Sequence, residues 1–265
     1  MVHIDIFSGI GGFALAAEWA GYETVCFCEC DPYCQQVLRK HWPNVPIVED
    51  IHGFTAKRIR RMGIAAVDLL TGGPPCQPAS VAGKRRGKED DRWLWPETVR
   101  VLGELKPRWA LFENPTGILS MGFDDLLSDV ERQGYEVGAA IVPACAVNAP
   151  HRRDRVWIVA YSDAVRCDVW GPDGQGIHGQ EQARDEVDSG GQDVSDSARN
   201  MLDRTGNPGQ AGWREPANGD WWDVEPDVCR VAHGVPRRVD RLRALGNAIV
   251  PQVAYQIIRA IKEAS

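Results

Sequence analysis

At 265 residues the chain is long enough to bury one large core, with room left for a small appendage. No apolar stretch approaches membrane-spanning length, which excludes a helical bilayer protein, and a net charge of -7 excludes a surface that is basic all over. Eight cysteines in a chain of this size read as reduced thiols rather than a disulfide framework, and no charged-then-apolar leader precedes the first strand, so the expected location is the cytoplasm.

The predicted elements alternate. His3 to Phe7 reads as a strand, Gly11 to Trp19 as a helix, Glu23 to Glu29 as a strand, and Pro32 to His41 as a helix with Asp31 as its N-cap. Ile47 and Val48 make a short strand and Ala66 to Leu70 a fully apolar one. Pro96 to Leu105 reads as a helix, Trp109 to Phe112 as a buried strand, Asp124 to Arg132 as a helix stopped by Gly134, and two more strands run up to Tyr161. Such alternation predicts an α/β fold, a doubly wound and mostly parallel sheet flanked by helices. Residues 163 to 220, rich in Gly, Asp, Gln and Ser, almost lack aliphatic periodicity; they predict a small loop-rich insertion anchored by Trp170, Trp213, Trp221 and Trp222. Periodicity resumes at Ile249, Val253, Ile257 and Ile261, a helix with Pro251 in its first turn that packs back on the first domain. The expected organisation is a catalytic and cofactor-binding domain over 1–161, a small target-recognition region over 162–229, and a segment over 230–265 that completes the first domain.

The sharpest local feature is Gly72-Gly73-Pro74-Pro75-Cys76-Gln77-Pro78. A strand ends in a Gly/Pro turn that presents one thiol: the glycines let the backbone leave at unusual angles and the prolines stiffen it. Two further polar clusters border apolar runs, Glu113-Asn114-Pro115 after Trp109 to Phe112, and His151 to Arg155 before Val156 to Ala160. In an open parallel sheet, groups at the carboxyl ends of neighbouring strands converge on one crevice, so a thiol, a carboxyl group and guanidinium groups can share a cleft. Cys26, Cys28, Cys30 and Cys34 contain no Cys-x-x-Cys pair; the first three alternate along a strand as small hydrophobes, so plain packing is preferred to a metal site.

In five ordered elements the chain resembles the cytosine carbon-5 DNA methyltransferases. These are Asp5 to Gly12, the Pro-Cys-Gln at Cys76, the Glu-Asn at Glu113, the Arg-x-Arg of Arg153 and Arg155, and Leu245-Gly246-Asn247-Ala248-Ile249-Val250-Pro251. The resemblance spans roughly residues 1 to 161 and 230 to 263. It implies S-adenosylmethionine as cofactor and no metal. Phe7 is then expected on the adenine, Glu29 on the ribose hydroxyls, Asp50 and Ile51 at the adenine edge, and Asn247 at the methionine end, with Ser8, Gly9, Gly11, Gly12, Cys30, Pro75 and Ala248 lining the site. A dinucleotide fingerprint is the rival reading of the same strand, loop and helix, but the glycine spacing does not fit it.

The resemblance also implies that Cys76 is the nucleophile toward cytosine carbon-6, that Glu113 holds the base at N3 and the exocyclic amine, and that Arg153 and Arg155 help position the base. The substrate is expected to be double-stranded DNA with its target base flipped out, and the enzyme a monomer of a bacterial or phage-infected cell, in a restriction-modification setting. Lys84, Arg85, Arg86 and Arg92, in a Gly-flanked loop, and Arg237, Arg238 and Arg241 form local basic runs expected to meet DNA despite the acidic total. Each run taken alone also reads as a solvated face. A cytosine-5 methyltransferase of tRNA and a non-catalytic DNA-binding relative are the alternatives. The chain departs from the family pattern at Pro115, His151 and Ala248, and in a recognition segment that is short and acidic at its start.

Overall fold

The computed structural model describes residues 1–75, 93–162 and 237–265. They fall in one compact unit, Met1–Gly176 with Arg237–Ser265, while a second unit, Ile177–Pro236, lies outside the described residues. Strands β1 (Val2–Ile6), β2 (Glu23–Cys28), β3 (Ile47–Val48), β4 (Leu69–Gly72), β5 (Trp109–Pro115), β6 (Tyr135–Val142) and β7 (Arg155–Ser162) form one seven-stranded sheet in the order β3-β2-β1-β4-β5-β7-β6. The helices are α1 (Gly12–Trp19), α2 (Pro32–His41), α3 (Ala56–Arg61), α4 (Trp95–Leu105), α5 (Phe123–Glu131), α6 (Arg238–Asn247) and α7 (Pro251–Glu263).

The expected doubly wound α/β class is the one observed. β1 to β5 pair in parallel, whereas β7 runs antiparallel to both β5 and β6. Both faces are covered, as buried parallel strands require. On one face Ile4, Ile6, Leu70, Ala110, Phe112 and Ile158 pack under Trp95, Val101 and Leu102 of α4 and Leu126 and Val130 of α5. On the other, Leu69, Leu111 and Trp157 meet Phe13, Ala16 and Ala17 of α1 and the apolar stripe of α7.

Several elements follow from short-range chemistry. Asp31 caps α2 by accepting from the backbone N–H groups of Tyr33 and Cys34, with Pro32 in the first turn and Arg39, Lys40 and His41 at the negative end of the helix dipole. α7 buries Val253, Ala254, Ile258 and Ile261, so Ile258 rather than Ile257 completes the deep stripe. Cys26 and Cys28 are buried on β2 as expected, but the strand ends at Cys28 and Cys30 is exposed. Trp95 is buried and Trp93 packs against the core at the far side of the cysteine-bearing segment.

A polar thread crosses the centre of the sheet. His3 is bonded through Nδ1 to Thr24 Oγ1 (2.8 Å) and through Nε2 to Thr71 Oγ1 (2.8 Å), and Thr71 donates to Asp5 Oδ1 (2.9 Å). His3, Asp5 and Thr71 are wholly buried and Thr24 nearly so. Burial lowers the His3 imidazole to about 3 and raises the Asp5 carboxyl well above its ordinary value.

Candidate active site

Seven strand termini line one edge of the sheet: the carboxyl ends of β3, β2, β1, β4, β5 and β6, and the beginning of β7. The reversal of β7 corrects the expectation of convergence through parallel strands alone. Arg153 precedes and Arg155 opens an apolar strand, and only because that strand runs backwards do they reach the edge toward which β5 carries Glu113.

At the β1 end the backbone turns sharply through Phe7 (φ 54°), Gly9 (φ 54°) and Gly11 (φ 88°). Phe7 is a non-glycine residue in the left-handed region, a conformation that costs on the order of 1 kcal/mol and persists only when its surroundings hold it. They do: Ser8 donates its backbone N–H to the Cys28 carbonyl at 3.1 Å and its hydroxyl to the Asp5 carbonyl at 2.8 Å. Glu29, at the end of β2, accepts from Gly9 N at 2.7 Å through one carboxylate oxygen and from Asp31 N at 2.7 Å through the other. Burial raises the Glu29 carboxyl, and those two backbone donors pull it back. A side chain at Gly12 would lie 2.7 Å from Ile249 Cγ1, and one at Gly11 would strike the Trp42 ring, so the loop admits no larger residue at either position.

After β3, Asp50 caps a short 3-10 turn, Ile51–Gly53, and its carboxylate Oδ1 accepts from the backbone N–H of His52 and bonds its ring Nδ1. These bonds hold the Asp50 carboxyl below its ordinary value. Arg100 of α4 secures the turn from behind, donating to the carbonyls of Ile51 (2.8 Å) and Phe54 (3.1 Å) while paired with Glu97 and Glu104. Sequence reasoning missed Arg100. It also missed Gln35, whose amide donates to the Glu29 carbonyl at 2.7 Å, because nothing in their local sequence marks helix residues that support a neighbouring strand end.

The other half of the edge begins at β4. A side chain at Gly72 would lie 2.8 Å from the Ile6 carbonyl oxygen, and a Cβ at Gly73 would lie 3.7 Å from Glu113 Oε2. The Gly/Pro turn therefore passes beside the Glu113 carboxyl, with Pro74 buried and Pro75 half-buried. Cys76 itself lies outside the described residues, as do Lys84, Arg85, Arg86 and Arg92. Glu113 is 7% exposed and its Oε1 pairs with Arg155 Nε at 2.7 Å. Burial pushes this carboxyl up, and Arg155, then Arg153, act against that rise.

Arg153 and Arg155 are separated in what they touch. Arg153 has a left-handed backbone (φ 38°) and its Nη2 donates to the carbonyls of Gly246 (2.9 Å) and Ala248 (2.7 Å), either side of Asn247. Of the basic C-terminal run, Arg237 donates to the Gln36 side chain on α2, Arg241 is exposed, and Arg238 begins α6. Arg243 forms an ion pair with Asp31, bracing α6 against the start of α2. Among the described residues no cluster of His, Cys, Asp and Glu could hold a metal ion, and no helix is long and apolar enough to cross a membrane.

The family of C-5 cytosine-specific DNA methylases matches residues 1–204. The chain is 36% identical over 136 residues to the type II methyltransferase M.NgoMIV of Neisseria gonorrhoeae, covering 51% of this chain and 42% of that protein. It is 33% identical over 173 residues to the type II methyltransferase M.AquIA of Picosynechococcus, covering 59% of this chain and 70% of that one. Among solved structures, a prophage-encoded Escherichia coli protein described as a DNA modification methyltransferase superposes with a TM-score of 0.55 at 26% identity, covering 65% of this chain and 51% of its own. The chain thus spans about two fifths of M.NgoMIV and half of the E. coli protein. Matched by the family over residues 1–204, three quarters of its length, this chain belongs to the C-5 cytosine-specific DNA methylases.

Proposed function

We propose that the chain transfers a methyl group from S-adenosylmethionine to carbon-5 of cytosine in double-stranded DNA, with the target base turned out of the duplex. The observation that carries this reading is the buried Glu113–Arg155 pair beside the Gly73 turn that leads directly into Cys76. A carboxyl inclined by burial to keep its proton stands there next to the segment that bears the chain's most nucleophilic kind of group.

The three strand ends at the other side fit an adenosine. Glu29 has lone pairs beyond the two given to Gly9 and Asp31, enough for a ribose diol. Phe7 offers a half-buried ring, Asp50 and Ile51 an acceptor and a backbone edge for the purine, and Asn247 with Ala248 the methionine end. Ser8, Gly9, Gly11, Gly12, Cys30 and Pro75 complete that wall. When bound, S-adenosylmethionine supplies a methyl group on a sulfonium sulfur that is already a good leaving group.

Carbon-5 of cytosine is a poor nucleophile until the ring loses its aromaticity. Cys76 Sγ, as the thiolate left when its proton has passed to solvent, bonds to carbon-6 as N3 takes a proton from Glu113, and the displaced electron pair becomes available at carbon-5 as in an enamine. With the donor held by Glu29, Asp50 and Asn247, carbon-5 would take the methyl group as the sulfonium sulfur leaves with the bonding pair. The carbon-5 proton then passes to a base in the site, the pair it leaves expels the Cys76 sulfur, and N3 returns its proton to Glu113. Arg155 fixes Glu113 and the base so that this proton moves over hydrogen-bond distance. Carbon-6 is covered in a stacked duplex, hence the need for base flipping. Closure over the base falls to residues 83–92, with Lys84, Arg85, Arg86 and Arg92 on the backbone, and target recognition to residues 162–229, in an enzyme that works as a cytoplasmic monomer.

Expression in a host without cytosine methylation, followed by bisulfite sequencing, tests the reading. Protected cytosines in one recurrent context are expected. Labelled methyl transfer that favours tRNA over duplex DNA would move the substrate to RNA, and transfer to neither would overturn the assignment.

A further inference from the structure

We propose that Arg153 is a positioning residue for the methyl-donor site, acting through Asn247, and not a contact to the target base. The proposal rests on the functional reading above. α6 ends at Asn247, and its last carbonyls lack partners within the helix. Arg153 supplies them: one guanidinium nitrogen donates to the carbonyls of both Gly246 and Ala248, at 2.9 and 2.7 Å. A cation at the carboxyl end of a helix also opposes the negative end of its dipole.

The same turn is held from its other side. Ile249 sits so close over Gly12 that a Cβ there would lie 2.7 Å from its Cγ1. Asn247 is thereby bracketed between the guanidinium of Arg153 and the glycine loop after β1. Upstream, the Arg243–Asp31 ion pair ties the same helix beside Glu29. Arg153 holds this reach through a left-handed backbone at φ 38°, a strained choice for arginine. Two arginines with a single residue between them then divide the work. Arg155 serves the acceptor carboxyl at 2.7 Å, and Arg153 closes the donor site by gripping a turn about 90 residues later in the chain.

Calorimetric titration of the full chain with S-adenosylhomocysteine, without DNA, separates the roles. Arg153→Ala should weaken binding by about 10- to 100-fold, as loss of charge-assisted bonds to two carbonyls implies. Arg155→Ala should leave it within about twofold. Arg153→Lys keeps a cation for the carbonyls and should recover affinity to within about fivefold, which also covers the case in which the alanine variant does not fold. Asn247→Ala combined with Arg153→Ala should lose no more than the worse single variant, because the two act as one unit. In steady state the Arg153 variants should raise KM for the donor more than they lower kcat. Arg153→Ala or Arg153→Lys that binds S-adenosylhomocysteine like the parent while kcat collapses overturns the proposal and returns Arg153 to the base. A parent chain that does not bind S-adenosylhomocysteine at all refutes the methyltransferase reading instead.

Discussion

Glu113 poses the proton question at the scale of single residues. Burial raises its carboxyl against the pull of Arg155 and Arg153, which suits a group that must lend a proton to N3 and take it back. Glu113→Gln keeps the volume and a hydrogen-bonding head but has no proton to lend. Its single-turnover methyl transfer should fall about 10²- to 10³-fold while donor affinity is unchanged by calorimetry; an undiminished rate would remove Glu113 from the chemistry. His3 and Asp5 make a second residue-scale prediction, on stability. His3 is held neutral, lowered from 6.5 to about 3, so its contribution is complete above 6.5 and is lost as pH falls toward 3. Asp5 is raised, so its contribution is complete below its unfolded value of 3.8 and is lost as pH rises through the folded one. His3→Gln should therefore flatten the acid limb of a Tm–pH profile and Asp5→Asn the alkaline limb. Parallel profiles for parent and variants would deny the thread its titrating role.

Among elements, legibility tracked burial. The strands and α1, α2, α4, α5 and α7 were readable because each carries an apolar face that must be hidden, and Asp31 and Pro32 mark the start of α2 to the residue. α3 was not readable, since Ala56 to Arg61 buries only Ile59 and depends on the Thr55 cap. α6 was hidden for the same reason: Val239, Leu242 and Leu245 are 77%, 60% and 63% exposed, and Ala244 is its buried residue. The direction of β7 could not be read either, because a strand buried on both faces shows the same apolar run in either sense. In the candidate site the motif residues were legible from their resemblance, while Arg100, Gln35 and the two-carbonyl grip of Arg153 exist only in three dimensions. One element-scale test concerns β4. Gly72→Ala places a methyl group 2.8 Å from the Ile6 carbonyl oxygen, where backbone would have to shift, and should lower unfolding free energy by about 1–3 kcal/mol in urea denaturation. No loss would mean that β1 and β4 can part at their carboxyl ends.

For the molecule as a whole, charge distribution matters more than the total of -7. Duplex DNA binding should weaken at least about tenfold as salt is raised from roughly 50 to 200 mM, since phosphate contacts release counterions; a salt-independent affinity would argue that the basic runs face solvent only. Duplex DNA carrying 5-fluorocytosine should trap a covalent complex, the fluorine being unable to leave as a proton does, and peptide mass mapping should find the nucleotide on Cys76. An adduct on another cysteine would relocate the nucleophile. One reversed strand has a wider effect on how such a chain can diversify. In the proposed reading most of the methyl-donor wall comes from residues 7 to 51, joined by Pro75, Asn247 and Ala248, and the recipient's side is built around Glu113 and Arg155, so mutations that retune one reagent's grip need not pass through the other's. Arg153, reaching forward to residues 246 and 248, is the stitch that keeps these separately adjustable halves in step.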